Sequence, residues 1–308
     1  MQGEEKERQK KEKERLGGSR QESPSSPAVA ELMTSLKRER LHREVTLALR
    51  TGLRDARANF SFLRIRGLRT ILSFLRSVAD SDSAIRLFRQ TQSIPDLQVV
   101  PVIFQNTLRQ SKSDPVLNLD CILSVEPMQI TSPATDSEVT LALRVLEGCC
   151  LLNKESNVLA HQQKAIKVLL TILLTRGVLE QGACLDALIA IMLDSSANQT
   201  DFEACRGIDK ITELIKNKQA DENIRLKSAE FLLLLIGHVN VRDRPPMAGI
   251  HSDIRRLLGE KCASLIWAAS QFGSTLDPEQ RLTALHIQAG ELTAYVSYSS
   301  PQCPKLYF

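Results

Sequence analysis

A helical repeat of about 42 residues is the feature that most constrains the fold of this chain. Leu146, Leu188 and Leu232 follow one another at intervals of 42 and 44 residues, and Ile166 and Ile208 are 42 residues apart. A helical period of this length is typical of armadillo and HEAT proteins. One such unit cannot bury its apolar stripe alone, so neighbouring units must stack. We therefore predict an all-α protein that forms an armadillo/HEAT-like right-handed superhelix of stacked helices.

The composition agrees with a helical protein. Hydrophobic residues make up 43% of the 308 residues and aromatic residues only 4%, with 14 glycines and 12 prolines. Leucine keeps its side-chain freedom in a helix, whereas the turns that β-strands require are scarce here. The alternative is an irregular helical bundle in which the leucines recur by chance.

Five regions are predicted along the chain. Residues 1–27 read as a disordered charged head and linker, and 28–110 as N-terminal basic helices. Residues 111–136 read as an inserted loop, and 137–277 as armadillo-like repeats. Residues 278–308 read as an extra helix and a disordered tail.

Two helix boundaries near the C-terminus are predicted from local signals. Residues 254–272 read as one continuous helix. Asp277 followed by Pro278 is typical of a helix N-terminus, because proline is tolerated at the first helical position. This last helix is expected to end near Gly290.

The segment from Lys37 to Arg76 is strongly basic, with eleven bases and three acids. Such a segment favours phosphate, an acidic protein or an anionic lipid surface. One alternative is therefore a nucleic-acid or membrane-surface binder that uses these Arg-rich helices. The other interpretation is that these bases form a solvated helix face. If this interpretation holds, we expect no nucleic-acid partner.

No pattern of catalytic residues is present in the sequence. The five histidines lack metal-ligand spacing, and no phosphate-binding glycine loop or nucleophile elbow occurs. We expect a non-enzyme without cofactor, metal or small-molecule substrate. The seven cysteines form no C-x-x-C, which favours buried free thiols in a reducing compartment. No apolar run reaches the ~20 residues needed to span a bilayer, so a cytoplasmic or nuclear protein without membrane insertion is expected.

The third helix of each predicted repeat supplies the candidate partner-binding residues. An armadillo protein that holds an extended peptide has an asparagine at the same place in each third helix, and this chain lacks that row. One charged residue and one small or apolar residue per repeat instead suit a folded or helical partner. The row could equally be ordinary solvated surface. The candidate residues are Arg144, Gly148, Asp186, Ala190, Glu230 and Leu234.

Motifs between residues 139 and 277 resemble a known family. Glu147-Gly148 with Leu151 and Ser156 is similar to its E-G-x-x-L-x-x-x-x-S pattern. The remaining motifs are Leu188 to Asp194, then Phe202 with Gly207 and Ile208, then Phe231 to Ile236, and last Phe272-Gly273 leading to Asp277. In this order they resemble cell division control protein 14, the septation initiation network component, which is not the phosphatase of the same name. The resemblance extends from about Leu47 to Asp277.

The resemblance implies a non-catalytic scaffold or regulatory subunit. Family members pair with a germinal-centre-type protein kinase in a septation or mitotic-exit pathway, and they act in the cytoplasm at the spindle pole or cytoskeleton. The alternative is a generic armadillo-type adaptor in cytoskeletal or trafficking work. The head and the residues after Asp277 inherit nothing from the resemblance.

Overall fold

The computed structural model describes residues 27–109, 132–240, 249–271 and 277–299, and these form an all-α protein. The described ranges contain 14 α-helices, one short 3-10 helix and one π-helical segment, and no β-strand. The all-α prediction is confirmed. The α-helices are α1 Pro27–Ala56, α2 Ser61–Ala79, α3 Asp82–Gln92, α4 Val99–Ile103, α5 Asp136–Leu152, α6 Lys154–Gln162, α7 Ala165–Thr175, α8 Val178–Met192, α9 Ser196–Ala204, α10 Gly207–Lys216, α11 Glu222–Asn240, α12 Ile250–Leu258, α13 Glu260–Gln271 and α14 Pro278–Ser299.

Several predictions concern residues outside the described ranges. These are the disordered head up to residue 26, the inserted loop as far as residue 131 and the tail from residue 300. The part of the loop that is described, residues 132–135, contains no helix, and helix α5 begins directly after it.

The chain divides into two compact units, residues 1–44 and 45–308. The described part of the first unit, residues 27–44, is the N-terminal stretch of α1. Two ion pairs run along this stretch, Arg40 with Glu44 at 2.9 Å and Arg43 with Glu39 at 2.5 Å. Exposed pairs of this kind stabilise a helix by only about 0.3–0.5 kcal/mol each. All packing described below lies within the second unit.

The second unit contains a repeated group of three helices, which we call a triplet. Helices α6, α7 and α8 form one triplet, and α9, α10 and α11 form the next. The first helices begin at side-chain caps 42 residues apart, Asn153 and Ser195. The turns between first and second helices contain Lys164 and Arg206, also 42 apart, with φ of 53° and 52°. Positive φ is uncommon for residues other than glycine. Because it occurs at the same position in both helix triplets, both triplets use the same turn.

The motif Phe202 to Gly207 has a packing explanation in this turn. Phe202 is fully buried, and a Cβ built on Gly207 would lie only 2.3 Å from its ring. Real Cβ atoms do not approach so closely, so any larger residue at position 207 would displace the ring. The motif therefore fixes the junction between α9 and α10.

Five long helices pack side by side in chain order and form the central layer of the second unit. Helix α2 contacts α5, α5 contacts α8, α8 contacts α11, and α11 contacts α14. We call this series the ladder. Leu146, Leu188 and Leu232, the leucines of the predicted repeat, are all fully buried on it. Burying one leucine stabilises a fold by about 1.5–3 kcal/mol, so the 42-residue pattern marks the core.

Two boundaries near the C-terminus differ from the prediction. The predicted helix over 254–272 is two helices, α12 and α13, because Gly259 between them has a φ of 86° that ends the first helix. The last helix begins as predicted, with Asp277 accepting a hydrogen bond from Gln280 N–H at 2.9 Å. It continues past Gly290 to Ser299, and it buries Ala289, Leu292 and Val296 as the last helix of the ladder.

Candidate partner-binding face

Ion pairs join three consecutive ladder helices. Asp186 of α8 accepts hydrogen bonds from Arg144 of α5 at 2.7 Å and from Lys227 of α11 at 2.6 Å. Arg144 also donates to Glu147 at 3.2 Å. We call Arg144, Asp186 and Lys227 the charged row, since one carboxylate bridges bases from both neighbouring helices.

The electrostatics of this row favour acidic groups on a partner. Side-chain exposure is 42% for Arg144 and 31% for Lys227, against 24% for Asp186. The bases are thus more accessible than the acid between them. Burial, with the Asp186 charge nearby, raises the pKa of the Glu147 carboxyl, which weakens its negative charge at mildly acidic pH.

A second row of leucines lies along the same helices. Leu151, Leu193 and Leu234 each follow a member of the charged row by seven residues. Seven residues are two helical turns, so Leu151 and Leu234 lie on the same faces of α5 and α11 as Arg144 and Lys227. Leu193 is the first residue after the end of α8. Leu151 is 58% exposed, Leu234 is 45% exposed and Leu193 is half-buried. We call these three the leucine row.

Polar contacts beyond the leucines show that the helices are aligned there as well. Lys154 Nζ lies 3.6 Å from the carboxylate of Asp194, just after the end of α8. The N–H of Asp194 donates to His238 Nε2 of α11 at 3.4 Å. The leucine row therefore lies between the charged row and the contact of Asp194 with His238 of α11, and these together define the candidate face.

The six predicted site residues are placed differently from one another. Arg144 and Asp186 are in direct contact on the face, and Leu234 is exposed beside them. Glu230 is not part of the charged row, because it pairs with His286 of α14 at 2.9 Å.

The two small residues of the predicted set are packed against neighbours. Ala190 is only 1% exposed, so it lies in the core and not on the surface. Gly148 is half-buried, and a Cβ there would lie 3.2 Å from the Leu75 side chain of α2. Its lack of a side chain lets α2 and α5 approach closely.

Sequence reasoning missed Lys227, Glu147, Leu151 and Leu193. Leu188 and Leu232 in the core are 44 residues apart, and the same spacing was applied to the surface residue Asp186, which gives Glu230. Spacings of 42 and then 41 residues, read from Arg144, would have found Lys227, and the same spacings read from Leu151 give the whole leucine row.

Much of the basic segment is already paired with acids of this chain. Five of its eleven bases form ion pairs, using all three of its acids and Glu138. Arg54 and Arg66 share Asp55, and these contacts hold the pKa of Asp55 below its ordinary value. This pairing reduces the charge that the segment can offer to phosphate.

The described residues contain neither a metal-binding cluster nor a helix able to cross a membrane. No group of three or more histidine, cysteine, aspartate or glutamate side chains there is placed to hold a metal ion. No described helix combines the length and the apolar character needed to cross a membrane.

Residues 116–244 match the model of a protein family described as Cell division control protein 14, SIN component. The predicted resemblance is confirmed. The match supports a role in cell division and septation. It covers a shorter range than the motifs suggested, and it contains the charged row, the leucine row and the Phe202 to Gly207 turn. No curated protein and no solved structure matches the chain.

Proposed function

We propose that this protein is a non-catalytic scaffold or regulatory subunit that binds a germinal-centre-type protein kinase in a septation pathway. The family match supports the pathway, and the candidate face supports binding to another protein. On this proposal the protein acts in the cytoplasm at the spindle pole or cytoskeleton, and the repeated triplets form an armadillo/HEAT-type right-handed superhelix.

The observation that carries the proposal is the leucine row beside the charged row. Leu151 of α5 and Leu234 of α11 are exposed, and the half-buried Leu193 directly follows α8. Exposed apolar patches of this kind mark interaction sites. Apolar side chains buried at the centre of an interface supply most of the affinity. The charged row would act mainly on orientation and association rate.

The spacing of the face favours a helical partner. Packed helices lie about 8–10 Å apart, and a helix rises about 1.5 Å per residue. A partner helix crossing the ladder would therefore meet one leucine about every five to seven residues. Its matching side would carry apolar residues at that spacing, with acids placed to meet Arg144 and Lys227.

The test is co-purification of the full chain with a germinal-centre-type kinase of the same pathway. Leu234→Arg should abolish association while the protein stays folded, because Leu234 is 45% exposed and its loss leaves the core intact. Leu174→Arg is the matched control, since Leu174 is 48% exposed on α7, outside the ladder.

Normal kinase binding by folded Leu234→Arg would refute the face. Equal loss of binding by both variants would show that the effect is not specific to the ladder. A second variant, Leu151→Arg, tests the same row at another helix and should behave as Leu234→Arg does.

A further inference from the structure

Ser132 occupies a joint between three parts of the second unit. Its N–H and its hydroxyl Oγ both donate to the carbonyl of Asn59 at 3.1 Å, in the loop between α1 and α2. Its Oγ also accepts from Ser61 N–H, the first residue of α2, at 3.0 Å. Three residues later in the chain, Thr135 caps α5. The joint thus connects the α1–α2 loop, the start of α2 and the start of α5.

A buried arginine fills the centre of this joint. Arg64 is 1% exposed and pairs at 2.7 Å with Glu138, which is fully buried. Arg64 also donates to the carbonyls of Asn59 at 2.8 Å and Ser132 at 2.7 Å, and to Ser132 Oγ at 3.3 Å. Removing such partners from a buried charge is costly, so the joint depends on Ser132 staying in place.

The sequence at the joint is that of a proline-directed phosphorylation site. Ser132 is followed by Pro133, which is exposed, and Ser132 itself is half-buried. Residues 132–135 form no helix, so the segment has the irregular backbone that a kinase can draw into its active site. We propose that Ser132 is phosphorylated by a proline-directed protein kinase. The phosphate then prevents Ser132 from making its contacts with Asn59, Ser61 and Arg64.

The reaction is a phosphoryl transfer from ATP. The bond between Ser132 Oγ and the γ-phosphorus forms as the bond from that phosphorus to the β,γ-bridging oxygen breaks. ADP leaves, and the hydroxyl proton passes to the catalytic aspartate of the kinase. This kinase acts on the protein, and it is distinct from the germinal-centre-type partner proposed above.

The phosphorylated joint cannot close again with the same contacts. Oγ loses its proton, so it can no longer donate to the Asn59 carbonyl. The added charge of about −1.5 to −2 would lie among carbonyl oxygens and near the Glu138 carboxylate, where like charges repel. The helix start at Ser61 and the single guanidinium of Arg64 offer attraction, but Arg64 is already bound to Glu138. Repulsion and lost bonds therefore outweigh the new contacts.

The test uses the full chain with the other three Ser-Pro serines, Ser23, Ser26 and Ser300, changed to alanine. This background is incubated with a cyclin-dependent-type kinase and Mg-ATP. We expect one phosphate per chain by intact mass, mapped to Ser132 by peptide fragmentation. The thermal midpoint should fall by several degrees, and amide exchange should become faster at Ser61.

The matched control adds Ser132→Ala to the same background. It should take up no phosphate, and kinase treatment should leave its midpoint and its exchange at Ser61 unchanged. Two results would overturn the proposal: no phosphate on Ser132, or a phosphorylated protein whose midpoint and exchange at Ser61 do not change or become more protected.

Discussion

Individual residues with unusual constraints explain the motifs of the matched segment. Gly207 has no side chain because the ring of Phe202 fills the space where one would lie. Arg206, directly before it, adopts the left-handed conformation that closes the turn. The left-handed residue recurs 42 residues earlier as Lys164, whereas the glycine does not recur, since Ala165 stands at the matching position.

Gly207→Ala should lower the free energy of unfolding by about 1–3 kcal/mol, the usual cost of overpacking a core. Denaturant unfolding followed by circular dichroism measures the change. The matched control is Gly237→Ala in helix α11, where a Cβ would meet nothing within 4 Å. That change should be neutral or stabilising, because alanine favours helix over glycine by about 1 kcal/mol. Equal effects of the two changes would contradict the packing explanation.

The Glu147 carboxyl reports on the charged row. Its pKa is raised first by burial and then by the Asp186 charge. When folding raises the pKa of a carboxyl, the free energy of unfolding of the protein falls as the pH rises from the ordinary pKa through the raised one. Asp186→Asn removes one of the two causes, so the pKa of Glu147 should fall towards its ordinary value. A carbon-detected NMR titration of the glutamate carboxyls measures this, and an unchanged or higher pKa would show that the two groups are not coupled.

At the scale of helices, the apolar pattern was enough to predict the all-α class and the 42-residue repeat. In α7, α10 and α11 the buried residues recur at helical spacing, which is the signal that the sequence carries. Helix α5 begins at Asp136 because Thr135 and Glu138 form a capping box, and the apolar pattern does not reveal that start. The division into α12 and α13 depends on the backbone of one glycine, Gly259, and periodicity does not reveal it.

The candidate face was only partly predictable for a related reason. Core spacing and surface spacing need not coincide when linkers differ in length. Five residues separate α10 from α11, whereas two separate α7 from α8. A register counted on buried leucines therefore pointed to Glu230, while the side chain that reaches Asp186 belongs to Lys227, one turn earlier.

Leu188→Asp tests the packing between ladder helices. Leu188 is fully buried, and an unpaired carboxylate there would cost several kcal/mol. We expect the variant to lose its cooperative thermal transition. Leu174→Asp, at a 48% exposed position of α7, should keep it. A Leu188→Asp protein with the parent midpoint would show that the assigned core register is wrong.

At the scale of the whole molecule, the matched segment is only part of the ladder. Residues 116–244 include α5, α8 and α11 but neither α2 nor α14. Yet α14 packs on α11 as each ladder helix packs on the one before it. Two hydrogen bonds also join α14 to α11. Arg225 of α11 donates to Ser297 Oγ of α14, and His286 of α14 bonds to Glu230 of α11. The last helix is therefore a structural part of the second unit.

Two deletions at opposite ends should have opposite effects on stability. Removing residues 1–44 should leave the thermal midpoint of the second unit unchanged, because no described side chain between 29 and 44 is buried. Removing residues 277–308 should lower the midpoint clearly, since it uncovers the side of α11 on which α14 packs and removes the buried Ala289, Leu292 and Val296. Scanning calorimetry of the two truncated proteins beside the full chain measures both shifts. A drop on removing 1–44 would mean that the first unit stabilises the second, and an unchanged midpoint without 277–308 would mean that α14 contributes no packing energy to the ladder.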